Sequence, residues 1–506
     1  MIKIGTPKLP DKFAVLRPQQ DKAIQDLLSY KGKNLIQVVP TGVGKSLIYM
    51  TWALQLGRTA ILTSTKALQD QLMEDFGGMG VAEIRGKDNY PCPRGDSSTV
   101  KGAMCHFGMP CALKVAGCPY YDAIRAAKSV PIVVTNYAFW LNNSLDNLGM
   151  FNRLVMDEAH DAPRQLSGFL SVGINLNDIY RITGIPPSHF GEYSDLRPVL
   201  AMKPYIEERL SKMIEESVSI NFGSIKQAQG LLQAMESLER IIHYDVWYEF
   251  CEGWAYADPI NLTDFTGYLG KGVKKLYLTS ATATAKTAGI LGIKAKVIEY
   301  ESPFPVESRP VVYVPTVKVD RNMGHYEVTT WLSRINSIIE SRLDRKGIIH
   351  VTSYERAKLL KYGKFENIIF THTPRTTAQC IRAFKKAKPP AVLVSPSMTT
   401  GYDFPFDECE YQVIAKVPFP DSRRGIDQRR NDLDPELAFY LTWQTIVQAA
   451  GRGMRDANDR CQTLIIDNHF DWLYRRYKHL APKWFLESIS RSNDLPEPLE
   501  KLRVGG

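Results

Sequence analysis

Short apolar, β-branched runs recur along the chain, separated by segments in which apolar residues return every three or four positions. That alternation is the pattern of buried parallel strands joined by amphipathic helices. A first series comprises 34–39 (NLIQVV), 59–63 (TAILT), 131–135 (PIVVT), 153–157 (RLVMD) and 274–279 (KKLYLT). A second comprises 347–352 (GIIHVT), 367–371 (NIIFT), 391–395 (AVLVS), 412–417 (QVIAKV) and 462–467 (QTLIID). The pattern predicts an α/β protein with two parallel sheets of similar plan.

Two segments interrupt the first series. Residues 85–128 are rich in Gly, Pro and Cys, and residues 163–265 carry helical patterns, notably 204–216 and 225–242. The stretch 302–310 (SPFPVESRP) holds three prolines and reads as a stiff linker. The expected division is therefore a first α/β unit made of 1–84, 129–162 and 266–301, interrupted by insertions at 85–128 and 163–265. A linker at 302–320 and a second unit at 321–506 follow.

Composition narrows the class. Of 506 residues, 44% are apolar and 23% charged, which excludes a disordered, collagen-like or disulfide-scaffold chain. No run approaches the roughly 18 apolar residues of a membrane span, and the first residues lack the apolar core of an export leader. A soluble intracellular protein, without membrane partners, is expected. The balance of 63 basic and 54 acidic residues gives +9, which suits a polyanion without demanding one.

Candidate chemistry sits at the ends of the predicted strands. NLIQVV runs into Pro40-Thr41-Gly42-Val43-Gly44-Lys45-Ser46 and then a helical pattern. A glycine-rich turn entering a helix offers backbone N–H groups to phosphates. Lys45 would reach the β- and γ-phosphates and Ser46 would hold Mg²⁺. Val39 occupies the place of the first glycine in the full phosphate-loop pattern. RLVMD ends in Asp157-Glu158-Ala159-His160; Asp157 is placed for Mg²⁺ and Glu158 to orient and deprotonate the attacking water. Further on, Gln448-Ala449-Ala450-Gly451-Arg452-Gly453-Met454-Arg455 follows a helical run. Its two arginines, three apart, are expected on one helix face, from which they would neutralise charge on a γ-phosphate.

Eight cysteines divide unevenly. Cys92, Cys105, Cys111 and Cys118 share one window, with 12, 5 and 6 residues between them, whereas Cys251, Cys380, Cys409 and Cys461 are scattered. The four in the window read as metal ligands and the others as small buried hydrophobes. The spacing lacks the close pairs of most structural zinc sites, and four thiolates also suit a [4Fe–4S] cluster, so spacing leaves both metals open.

Taken in order, GxGKS, DEAH, Ser280-Ala281-Thr282 and QxxGRxxR resemble the motifs of superfamily-2 helicases. Arg17-Pro18-Gln19-Gln20, RGKDNYPC (85–92), Thr135-Asn136-Tyr137, SPFP (302–305), MTTGYDFP (398–405) and Pro418-Phe419-Pro420 narrow the resemblance to the iron–sulfur, XPD/DinG-like branch. The resemblance runs from about residue 17 to about 485. It implies two RecA-like motor domains, with an iron–sulfur insertion and a small helical arch-like insertion in the first. It also implies ATP, Mg²⁺ and a [4Fe–4S] cluster as cofactors, the cluster held by Cys92, Cys105, Cys111 and Cys118. His106 is a spare ligand candidate.

Residue by residue, the resemblance assigns Arg17 and Gln20 to the adenine side. Thr41, Gly42, Gly44, Lys45, Ser46 and Asp403 go to ATP, and Ser46 and Asp157 to Mg²⁺. Glu158, Gln448, Arg452 and Arg455 are assigned to catalysis, and Ser280 and Thr282 to coupling. The implied protein is a cytoplasmic (or nuclear) monomeric ATP-dependent DNA helicase, moving 5′ to 3′ on single-stranded DNA and opening duplex junctions in repair, replication or recombination. Alternatives are a translocase that does not unwind and an iron–sulfur nucleic-acid-binding module with a vestigial ATP site. Tyr90, Phe107, Tyr120, Tyr121 and Trp140 flank the cysteine window at ordinary density, so no base-stacking residue is assigned. The last residues, LRVGG (502–506), read as an incidental end.

Overall fold

The computed structural model describes residues 9–10, 13, 15–55, 57–107, 109–143, 148–191, 195–215, 222–396, 402–421, 423–454 and 458–500. Residues 398–401 of MTTGYDFP, Arg455 and the terminal LRVGG therefore lie outside the described residues.

Strands β1 (Asn34–Val38), β2 (Thr59–Thr63), β3 (Val81–Glu83), β4 (Ile132–Asn136) and β5 (Arg153–Asp157) open the chain. They are followed by β6 (Val172–Asn175), β7 (Val246–Cys251), β8 (Trp254–Pro259), β9 (Lys275–Ser280) and β10 (Lys296–Glu299). The first sheet has seven parallel strands in the order β10-β1-β9-β5-β2-β4-β3. The remaining strands are β11 (Val311–Val317), β12 (Lys346–His350), β13 (Ile369–Thr371), β14 (Ala391–Ser395), β15 (Tyr411–Ile414), β16 (Gln462–Asp467) and β17 (Ile489–Arg491). They build a second seven-stranded parallel sheet, β13-β14-β12-β15-β16-β11-β17. The fold is thus α/β with two RecA-like sheets. Every residue of β2, β12, β14 and β16 is buried, which is why these runs read as continuous apolar stretches without alternation.

Three differences from the sequence reading matter. Residues 163–265 hold the expected helices, Lys203–Glu215 and Phe222–Ile241, but also a three-stranded antiparallel sheet, β6-β8-β7. Its β7 and β8 carry Trp, Tyr and Phe and lack the aliphatic run of the motor strands. Residues 302–320, expected as linker, contain β11, which pairs with β16 and β17 in the second sheet. The α-helix before QxxGRxxR ends at Ala450 and gives way to a 3-10 turn, Gly451–Gly453, so Arg452 does not lie on the α-helical face expected for it.

The order of the first sheet positions the site. β1, β9 and β5 are neighbours, with Val38 opposite Ser280 and Asp157 opposite Thr279. Their carboxyl ends therefore bring the phosphate-loop sequence, Ser280-Ala281-Thr282 and the DEAH turn to one edge, where parallel α/β sheets bind ligands. Buried Gln37 ties this region to the first helix: its Nε2 donates to the Ala23 carbonyl at 2.9 Å while its Oε1 accepts from Tyr277 at 2.6 Å. One apolar cluster runs from the first sheet (Met156, Leu278) into the second unit (Trp443, Val447, Phe485). Elsewhere, Lys286 pairs with Asp434 at 2.5 Å, and Arg424 of the second unit pairs with Asp258 of β8 at 3.1 Å. Among the described residues no helix is long and apolar enough to cross a membrane.

Candidate ATP site and cysteine cluster

Between β1 and the helix Lys45–Gln55 the backbone turns through two glycines, Gly42 at φ 76° and Gly44 at φ 91°. Only glycine adopts these angles without strain. A Cβ on Gly44 would also meet Gln20 Nε2 at 2.6 Å. Gln20 is buried, donates to the Val43 carbonyl at 2.7 Å, and accepts from the Arg17 backbone N–H at 2.8 Å. Arg17 Nη1 donates to the Gly42 carbonyl at 2.8 Å. The RPQQ segment therefore grips the loop from the side, turning its carbonyls inward.

Lys45 opens the helix and its Nζ lies 3.2 Å from Glu158 Oε1. Asp157, at the end of β5, is 1% exposed. Its Oδ1 accepts from the Glu158 N–H at 2.8 Å and its Oδ2 from the Tyr49 hydroxyl at 3.1 Å. The Tyr137 hydroxyl holds the Asp157 carbonyl at 2.9 Å. Burial pushes the Asp157 carboxyl up to about 7, with Glu158 adding to the rise and Lys45 opposing it. Tyr49, pushed well above its ordinary value by burial and by Asp157, remains a donor; Ser46 touches the same hydroxyl.

Glu158 stands at φ 47°, a left-handed conformation rare outside glycine and a mark of stored strain at functional turns. Its side chain is 30% exposed. Burial acts to raise its pKa, but Lys45 and His160 outweigh that and hold the carboxylate below its usual range.

His160 links three motifs. Its Nδ1 lies 2.8 Å from Ser280 Oγ and 3.3 Å from Glu158 Oε2, while its Nε2 meets the Gln448 amide across the cleft. With the amide N–H donating to Nε2, the ring proton sits on Nδ1, facing Ser280 and Glu158. Ser280 Oγ also accepts from the Thr282 and Ala283 N–H groups at 3.0 and 3.3 Å. Gly451 packs on Thr41, and Arg452 Nη1 donates to the Tyr402 carbonyl at 3.0 Å and lies 3.7 Å from Asp403 Oδ1. Arg455 is outside the described residues. The structure thus brings Arg17, Gln20, the 41–46 loop, Asp157, Glu158, Ser280, Thr282 and Gln448 together, with Arg452 and Asp403 paired at the margin. Sequence reasoning assigned no role to His160, Tyr49 or Tyr137. His160 was the last residue of DEAH, Tyr49 stands one helical turn after Lys45, and Tyr137 closes the TNY run.

The four clustered cysteines are free thiols. Burial and then Cys111 push the Cys105 thiol up, with Cys92 also in electrostatic range. Burial and then the nearby Cys105, Cys118 and Cys111 push the Tyr121 phenol up. Cys92 Sγ donates to Asp96 Oδ1 at 3.2 Å. Among the described residues, no three His, Cys, Asp or Glu side chains are gathered tightly enough to hold a metal ion. His106 Nδ1 lies 3.0 Å from Lys87 Nζ. Trp140 is core: it is 2% exposed and donates to the Leu269 carbonyl.

Comparison with known proteins agrees with this geometry. Residues 17–172 match the DEAD/DEAH box helicase family model, and residues 341–488 match the helicase C-terminal domain. The chain thus carries the two domains of an ATP-hydrolysing nucleic-acid helicase. An XPD helicase structure superposes with a TM-score of 0.61 at 15% identity, covering 95% of this chain and 100% of its own. Xpd4 of S. tokodaii gives 0.57 at 15% identity, covering 94% and 100%. The fold is XPD-like. No curated protein matches the chain in sequence.

Proposed function

We propose that the chain is an ATP-driven DNA helicase that translocates 5′ to 3′ along single-stranded DNA and opens duplex junctions. The observation that carries the ATP-driven motor is the continuous line Lys45–Glu158–His160–Gln448, which joins the phosphate loop of one motor domain to the QxxGRxxR segment of the other, while DNA and polarity follow from the family resemblance. A group that bridges both sheets lets hydrolysis at one alter their separation.

In this reading the N–H groups of 42–46 and Lys45 bind the phosphates, and the second N–H of the Gln20 amide reads the adenine. Ser46 and Asp157 would hold Mg²⁺. The buried Asp157 carboxyl fits that role, since a cation at its oxygens is what keeps it ionised. A Mg²⁺ bound there would supply neutralisation of charge on the leaving phosphates. Glu158, held ionised, takes the proton of the attacking water, and Lys45 gives up Glu158 for the γ-phosphate. Arg452 and Arg455 approach the same phosphate when the cleft closes, which requires Arg452 to leave Asp403. Ser280 and Thr282 relay the change through His160.

Four thiolates from one short window suit a [4Fe–4S] cluster, which Cys92, Cys105, Cys111 and Cys118 would hold once drawn closer together than they stand here. The cluster would supply a covalently anchored fold for residues 85–128. ATPase assays with and without single-stranded DNA, on wild type and Lys45→Ala, test the motor. Strand displacement on 5′-tailed and 3′-tailed duplexes tests unwinding and polarity. Wild type without DNA-stimulated hydrolysis, or displacement confined to 3′ tails, would sink the corresponding part.

A further inference from the structure

Between the two motor domains, one contact reaches the coupling loop right beside Ser280. The Trp484 indole N–H, near the end of the described chain, donates to the Ala281 carbonyl at 3.0 Å. Ala281 follows Ser280, whose hydroxyl His160 touches at 2.8 Å. Trp484 is 5% exposed and firmly seated. Arg309 Nη1 donates to its carbonyl at 2.8 Å and the guanidinium lies 5.6 Å from its ring, while Phe485 meets the ring edge-on at 5.9 Å. The short helix that carries it, Lys483–Leu486, begins on Glu299, whose Oε1 accepts from the Lys483 N–H. Glu299 ends β10, paired beside the strand that leads into the phosphate loop. Farther along, Tyr440 meets Thr284 at the end of this loop and Thr287 in the helix after it, and Lys286 pairs with Asp434, so these contacts hold the side of the loop away from Ser280.

We infer that Trp484 is a positioning residue for nucleotide turnover: its indole N–H fixes the Ala281 carbonyl, so that the second motor domain sets the place of Ser280 and, through it, of His160. Domain movement then reaches the DEAH turn by two routes, Gln448 on one side of the imidazole and Trp484–Ala281–Ser280 on the other. This rests on the reading of the chain as a nucleic-acid-driven ATPase.

Trp484→Phe tests it, because the change keeps a buried aromatic ring while removing the N–H, and the melting temperature reports the cost of the lost ring volume. In the full chain, ATP hydrolysis is measured with and without single-stranded oligothymidylate, together with the KM for ATP and the melting temperature. The expected result is a fall of about fivefold in the stimulated kcat, the scale of one lost hydrogen bond, with the unstimulated rate and KM held. A stimulation ratio equal to wild type, or an equal fall in both rates, overturns the assignment. If Trp484→Phe does not fold, Glu299→Ala, which frees the first turn of Lys483–Leu486, carries the same expectation and the same refutation. Wild type that hydrolyses ATP without any stimulation overturns the functional reading itself and this inference with it. Stimulated wild type beside an unaltered Trp484→Phe overturns only the role of Trp484.

Discussion

Gly451 of the second motor domain lies against Thr41 of the phosphate loop, so closely that a Cβ on it would sit 3.0 Å from Thr41 Cγ2 and 3.2 Å from Thr41 Oγ1. Glycine is needed there for contact and not for backbone shape, since its φ is −73°. Gly451→Val should wedge the cleft open and lower kcat for ATP hydrolysis about tenfold or more. Steady-state turnover with melting temperature as a folding control checks this; full turnover in Gly451→Val would show that the cleft does not close on Thr41.

In the second sheet, a Cβ on Gly347 would meet the Tyr411 ring at 2.1 Å, and Tyr411 is 1% exposed. Nothing flexible can yield, so Gly347→Ala should destabilise the chain by about 2 kcal/mol, the cost of overpacking a tight core. Urea unfolding measures it. A shift within error of wild type would mean that the ring has room to move.

His469 Nδ1 donates to Asp467 Oδ1 at 2.8 Å, and this bond raises the imidazole pKa, burial opposing it. Asp467 also accepts from the Val319 and Val417 N–H groups at 3.1 and 2.8 Å, clamping the ends of two strands. A His whose folded pKa is raised stabilises fully below its unfolded pKa of about 6.5, and this stability is lost as pH climbs through the folded value. His469→Gln should therefore cost more stability at pH 6 than at pH 9, measured by unfolding at both. Equal losses would argue that the bond is charge-independent.

For the cysteine window, anaerobically assembled protein should carry iron and acid-labile sulfide, and Cys111→Ser should lose both. Cys251→Ser serves as the control, since that thiol is exposed and distant in sequence. Chemical iron and sulfide analysis decides the matter; bound zinc in place of iron would favour the other metal that the spacing left open.

Much of this architecture was legible because parallel strands covered on both faces leave continuous apolar runs. Arg153–Asp157, Thr59–Thr63, Ala391–Ser395 and Gln462–Asp467 begin and end where the residue pattern places them. Most other edge strands and the inserted strands were not legible, although the edge strand β13 was. β10 is exposed along half its length, β3 is three residues long, and β7 is half-buried and aromatic within a helix-rich segment. β11 was hidden by its proximity to prolines, although Val311–Val314 are all buried.

Local chemistry behaves in the same way. The phosphate loop, the DEAH turn and QxxGRxxR could be read from sequence because their function depends on residue types at short spacings. The role of His160 could not, since its partners Ser280 and Gln448 lie 120 and 288 residues away. Trp484 likewise has meaning only through Ala281. By itself, the order of residues determined which short segments become strands, which turns carry phosphate chemistry and which thiols cluster along the chain. Tertiary structure alone decided which of these meet: the strand order β1-β9-β5 and the packing of one sheet on the other set those distances, through nonlocal contacts that no local spacing encodes.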